Sequence, residues 1–167
     1  YHFLGVAFEV AGDMARSREY SKQAFSFIDR VSEFERDLIV PYYYYLATGE
    51  LDKATDAFQF GIRNYRRHWG FHNSLSMIYI DLGQYEEGLK EGLEAARLQA
   101  NAEPSYRRQL DAYICLDRLP EAKQVAEKLR VQGLDRSRRH QRFLELTYVE
   151  DDRAAVEREL QWFAGRQ

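Results

Sequence analysis

Residues that make turns and strands are scarce in this chain. Ten Gly and three Pro among 167 residues come to about 8 %, against roughly 12 % in average proteins, so connections between elements must be short. β-Branched residues are as thin, with eight Val, six Ile and three Thr, which is poor material for a sheet. The one cysteine, Cys115, excludes an intramolecular disulfide and a metal site built from cysteines. No run approaches the roughly 18 apolar residues of a membrane span, and no signal-peptide pattern is visible. A net charge of −3 and a pI near 5.9 leave no global positive field to recruit nucleic acid or anionic lipid. What is present is 45 % hydrophobic, 31 % charged and 14 % aromatic residues with mean hydropathy −0.61, the composition of one folded, helical domain. The chain starts at Tyr1 inside an apolar helical pattern with no Met, so the expectation is a piece of a longer protein.

Internal repetition organises the sequence. Tyr79, Leu82, Gly83, Tyr85 and Gly88 step back by 34 to Tyr45, Thr48, Gly49, Leu51 and Ala54, and forward by 34 to Tyr113, Leu116, Asp117, Leu119 and Ala122. A further step reaches a degraded copy at Thr147, Glu150, Asp151, Arg153 and Val156, and Leu4, Gly5, Phe8 and Gly12 form an earlier one. From Gly12 to Gly49 is 37 residues, and the three extra are assigned to the first junction. A period of 34 with a turn in mid-unit is the length of two helices and two tight connections. Apolar or small residues at Leu75, Ile78, Tyr79, Leu82, then Gly88, Leu89, Gly92, Ala95 and Ala96 follow helical spacing on both sides of Gly83.

The helix pairs expected are 1–11 with 14–29, 33–48 with 51–64, 69–82 with 85–98, 103–116 with 119–132, and 137–150 with 153–165. Gly49 and Gly83 would supply the left-handed turn after each first helix, with Asp117 and Asp151 in that place later. Ser32 and Glu35 have capping-box spacing. Gly88 and Gly92 are expected at close helix approaches.

On these residues the chain resembles tetratricopeptide (TPR) repeats. The match runs through Leu75, Ser76, Tyr79, Gly83, Tyr85, Gly88 and Ala95 in one unit and Tyr42, Tyr45, Gly49, Ala54 and Phe58 in the one before. It covers essentially all 167 residues as one domain of about five units, near 1–31, 32–68, 69–102, 103–136 and 137–167. Arg66 and Ala100 stand where such repeats end in proline. The resemblance implies an all-α, right-handed solenoid of helical hairpins whose first helices line a concave groove. Two stretches, Lys22 to Ile39 and Tyr43 to Phe58, are similar to the TPR arrays of bacterial, particularly acidobacterial, serine/threonine protein kinases. Arrays of this kind also follow winged-helix regulators. The chain itself holds no Gly-rich loop, HRD or DFG motif.

No catalytic constellation stands out. His68 and His72 have i, i+4 spacing, but His68 falls in a junction and no third ligand is near. Cys115 reads as a small core residue, and the pairs Glu86–Glu87 and Asp151–Asp152 open second helices, where carboxylates favour the dipole. No metal or cofactor is expected. Transferred from the TPR pattern, the groove positions include Tyr43, Asn73, Met77, Arg107, Arg108, Arg138 and Arg142. Five Arg against one Asp between Arg130 and Arg142 give the array a basic end. The expected function is non-catalytic: a protein or peptide segment, acidic in character, bound in the groove of a sensor or scaffold region of a bacterial signalling protein, on either side of the membrane. No nucleic acid and no membrane contact is expected, and the oligomeric state stays open. The alternatives are nucleic-acid binding through the Arg130–Arg142 patch and the TPR region of a winged-helix regulator.

Overall fold

The computed structural model describes residues 1–131 and 153–164. Its helices are α1 (His2–Val10), α2 (Met14–Ser26), α3 (Glu33–Tyr42, running on as a π-helical stretch Tyr43–Thr48), α4 (Leu51–Asn64), α5 (Trp69–Asp81), α6 (Tyr85–Leu98), α7 (Glu103–Cys115), α8 (Leu119–Val131) and α9 (Arg153–Ala164). Among the described residues there is no strand. Each of α1 to α8 agrees with its expected span to within three residues. The helix expected over 137–150 lies outside the described residues, as do Arg138, Arg142 and Asp151.

Helices pack in chain order, α1 on α2, α3 on α4, α4 on α5 and so on to α7 on α8, while the first helices α5 and α7 also touch. This is an all-α solenoid of stacked hairpins, in which each unit buries its apolar stripe against its neighbours. The stripes have helical spacing: Ala54, Phe58 and Gly61 on α4, and Ala122, Val125 and Leu129 on α8. One apolar cluster joins Ala54 and Phe58 to Phe71, Leu75, Met77 and Ile78. A second joins Tyr106 and Leu110 to the α8 stripe. Phe58, fully buried, contributes about 1.5–3 kcal/mol by leaving water.

The turns are built as the spacing predicts. Gly49 and Gly83 have φ near +74° and +75°, and Asp117 takes the same left-handed conformation at φ +56°. Ser32 opens α3 with a complete capping box: Glu35 N donates to Ser32 Oγ at 3.3 Å, and Ser32 N donates to Glu35 Oε2 at 2.9 Å.

The extra residues of the first junction are distributed differently from the expectation. Six residues separate α2 from α3, including a 3₁₀ turn at Ile28–Arg30, where four separate α4 from α5 and α6 from α7. Counted from one turn glycine to the next, one of the three extra residues falls before α3 begins, 21 from Gly12 to Glu33 against 20 from Gly49 to Trp69, and two fall within the first helix of unit two, 16 from Glu33 to Gly49 against 14 from Trp69 to Gly83. Pro41 sits inside that helix and has no N–H to donate. The wider π turn begins two residues later, and such turns accommodate inserted residues without ending the helix.

Cys115 is exposed rather than core. Five residues on from the fully buried Leu110, it lies about 140° round a helix of 3.6 residues per turn, away from the apolar stripe.

Candidate groove of the first helices

The first helices carry most of the polar groups that the fold draws together. Tyr42 on α3 shares a 2.7 Å hydrogen bond with Ser74 of α5, and Tyr45, in the π turn, donates to Asp81 Oδ2 at 2.9 Å. Burial raises the phenol of Tyr42 above its ordinary value. Burial and then the Asp81 carboxylate raise that of Tyr45. Both tyrosines therefore remain neutral hydrogen-bonding groups that fasten unit two to unit three.

One unit further on, α7 presents Arg107 and Arg108 side by side. α7 packs closely over Gly92 of α6, where a Cβ would stand 3.4 Å from Arg108 Cβ and 3.2 Å from Ser76 Oγ. Arg108 Nη1 reaches Asp111 Oδ2 at 3.5 Å, with both side chains largely enclosed. Burial, and then the charge of Arg108, pull the Arg107 guanidinium below its ordinary value, while Glu103, Asp111 and Glu9 act in the opposite sense. Glu9 belongs to α1 and also acts on Tyr42 and Tyr45, so the first helices of four successive units share one electrostatic environment. Asn73 Oδ1, Arg107 Nε and Arg108 Nε are buried atoms without a hydrogen-bond partner. By the repeat period Asn73 and Arg107 are equivalent, 34 residues apart.

The remaining expected groove residues are placed differently. Tyr43 lies with its ring stacked on Phe25 of α2, centroids 3.9 Å apart, in the seam between units one and two. Met77 is 5 % exposed and part of the Phe58–Phe71 cluster, so its thioether supports α5 from within. Arg138 and Arg142 lie outside the described residues. Arg130, at the near edge of the basic stretch, is paired with Glu127 through two hydrogen bonds of 2.8 and 2.7 Å, an acid just upstream of that stretch.

His72 makes a contact that its spacing to His68 did not suggest. Its Nδ1 lies 2.6 Å from Glu91 Oε2 on α6, and its Nε2 lies 3.4 Å from the Arg66 carbonyl. Both neighbours only accept hydrogen bonds, so the doubly protonated ring satisfies them best. Burial alone would lower the His72 pKa, but the Glu91 hydrogen bond and charge outweigh it, and the net shift is upward. Among the described residues no three His, Cys, Asp or Glu side chains gather as metal ligands, and no helix is long and apolar enough to cross a membrane.

No protein-family model matches the chain, and no curated protein matches it in sequence. Solved structures do match in shape. MamA of MSR-1 superposes with a TM-score of 0.69 at 15 % identity, covering 98 % of this chain and 94 % of that one. MamA of AMB-1 gives 0.67 at 14 %, over 98 % and 90 %. A Podosopora anserina kinesin light chain protein with nearly identical TPR-like repeats gives 0.64 at 15 %, over 96 % and 90 %. Backbone likeness over nearly the whole length of both partners, together with the 34-residue period and the left-handed turn residues, identifies the fold of this chain as a tetratricopeptide-repeat solenoid.

Proposed function

We propose that the chain is a non-catalytic interaction module that holds a segment of another protein along its first helices. The observation that carries this reading is the row of buried, unpartnered polar atoms, Asn73 Oδ1, Arg107 Nε and Arg108 Nε. A buried polar atom without a partner costs about 1–3 kcal/mol, and an extended peptide backbone offers alternating N–H and C=O groups suited to one acceptor and two donors. Tyr43, stacked on Phe25, and Met77, in the Phe58–Phe71 cluster, belong to the packing seams of units two and three and not to this row. Arg142 falls in the same repeat position as Arg108, 34 residues on, and with Arg138 would extend the site toward carboxylates of the bound segment. The TPR-like fold of the solved neighbours supports a protein partner. The likeness of Lys22–Ile39 and Tyr43–Phe58 to arrays beside bacterial serine/threonine kinases supports a place in a larger signalling protein.

Selection of displayed random peptides on the chain tests the site. Enriched peptides should bind at least tenfold more weakly to Asn73→Ala plus Arg108→Gln, since one lost charge-assisted hydrogen bond is worth about 1.5–3 kcal/mol and 1.4 kcal/mol is tenfold. Exposed Lys90→Ala should leave binding unchanged. Arg138→Glu plus Arg142→Glu should weaken acidic peptides selectively. Peptides indifferent to all of these substitutions, on variants of unchanged helicity, would refute the groove.

A further inference from the structure

The connection between α4 and α5 is basic in a way the groove does not account for. From position 57 to position 80, in a chain with 27 acidic residues, there is no Asp or Glu, while Arg63, Arg66 and Arg67 fall within five residues of one another. All three are exposed, and none has a carboxylate within ion-pair distance among the described residues. They line a shallow cavity together with Asn64, Tyr65 and His68. Arg63, in the last turn of α4, has an ordinary explanation in the helix dipole. Arg66 and Arg67 lie beyond the helix end and do not share it.

The backbone that carries these arginines is fixed. Tyr65 N donates to Gly61 O at 2.8 Å, and His68 N donates to Tyr65 O at 2.9 Å. The Tyr65 ring stacks on Phe71 at 5.7 Å and meets Phe34 edge-on at 5.0 Å, and His68 packs edge-on against the same two rings. His72 holds the Arg66 carbonyl, and Asn64 Nδ2 donates to Asp37 Oδ2 at 3.1 Å. Anchored aromatic residues on both sides thus leave the two arginines between them projecting into water from a preorganised loop, which lowers the entropic cost of capturing a ligand.

We infer that this loop, centred on Arg63, Arg66 and Arg67, is a binding site for one phosphate monoester group on a partner protein, that is, for a phosphorylated side chain. Several guanidinium forks within a short loop suit a dianion with three acceptor oxygens better than a single carboxylate. A nucleic-acid backbone would need a track of cations along successive phosphates. Here the neighbouring start of α3 instead carries Glu33 and Asp37, whose charges reach Tyr65, so a track leading that way is blocked. The site lies on an inter-repeat loop and goes beyond the groove reading.

Amide chemical-shift titration with N-acetyl-phosphoserine amide, N-acetyl-glutamate amide and a single-stranded oligothymidylate separates the possibilities. Saturable shifts confined to residues 63–69 are expected with the phosphoserine probe, at least tenfold weaker with the glutamate probe, and lost in Arg66→Gln plus Arg67→Gln, whose exposed positions leave the fold intact. Arg63→Ala should weaken the same shifts several-fold. Absence of saturable shifts overturns the inference, as does their persistence in the double variant, or equal or tighter binding of glutamate or oligothymidylate at this loop. Shifts at Asn73 and Arg108 report the groove separately, so failure of one site leaves the other readable.

Discussion

Gly61 offers the sharpest test of the packing. A Cβ built on it would stand 2.4 Å from Phe71 Cε1, 2.6 Å from Cδ1 and 3.0 Å from Cζ, where ordinary contact begins at 3.4 Å. The obstacle is the face of a rigid ring, fully buried and held between Tyr65 and Phe34, so α4 and α5 must separate by about 1 Å to admit one methyl. Overpacking of that kind costs about 1–3 kcal/mol, and the better helix propensity of Ala returns about 1 kcal/mol at most. Three ring carbons at or inside 3.0 Å put this site in the upper part of that range, about 2–3 kcal/mol, so after the propensity gain Gly61→Ala should lose about 1–2 kcal/mol in urea unfolding followed by helical circular dichroism. Phe71→Leu removes the ring face, so Gly61→Ala plus Phe71→Leu should cost less than the two single changes together by at least about 1 kcal/mol. Gly92→Ala is the contrast: its nearest obstacle is Ser76 Oγ at 3.2 Å, and the change should lie within about 0.5 kcal/mol of neutral, since a small displacement of Ser76 trades against the propensity gain. A Gly61→Ala protein as stable as the parent, or an additive double variant, would refute the wedge.

Asp117 holds a left-handed conformation at φ +56° that glycine adopts without the Cβ penalty; Asp117→Gly should raise the thermal midpoint, by about 0.5–1 kcal/mol of stability, and a lower midpoint would show that the Asp side chain has a stabilising role of its own. The His72–Glu91 pair makes stability depend on pH. With the folded His72 pKa above its ordinary 6.5, protonation favours the folded state, so this contribution is complete below about pH 6.5 and is lost as pH rises through the raised value. Urea midpoints compared at pH 6 and pH 8 should fall more in the parent than in Glu91→Gln, and equal falls would remove the pair as the cause.

The solenoid was legible because its determinants are local and periodic. Turn glycines, helical spacing and the Ser32–Glu35 box each act within one turn of chain, and among the described residues each lies where the pattern puts it. Groove membership was harder, because it depends on rotation about the helix axis. The additional residues within the first helix of unit two mean that its residues do not map onto α5 and α7 by a constant offset, and Tyr43 is stacked on Phe25. Met77 matches a groove position by number and is core by contact, since α4 supplies Phe58 over that side of α5. The His72–Glu91 pair and the Gly61–Phe71 contact join different helices, and their partners are set by packing distances that no sequence period encodes. Gly61 itself was visible by the criterion applied to Gly88, a glycine retained in a helix interior despite its propensity cost.

The π turn at Tyr43–Thr48 gives the array a mechanical weak point. A straight α-helix resists bending through its unbroken ladder of i to i+4 bonds, and here the ladder is interrupted twice, by the missing N–H of Pro41 and by the wider turn that follows. Thr48 Oγ1 and Glu50 N both close on the Tyr44 carbonyl, which anchors the end of the segment without restoring that ladder. Elastic strain imposed on the solenoid is thus concentrated in unit two, where helices most often kink. The compliant coil of this spring is therefore unit two, and the hairpins α5–α6 and α7–α8 beyond it, without a π turn, form the stiffer part beside it.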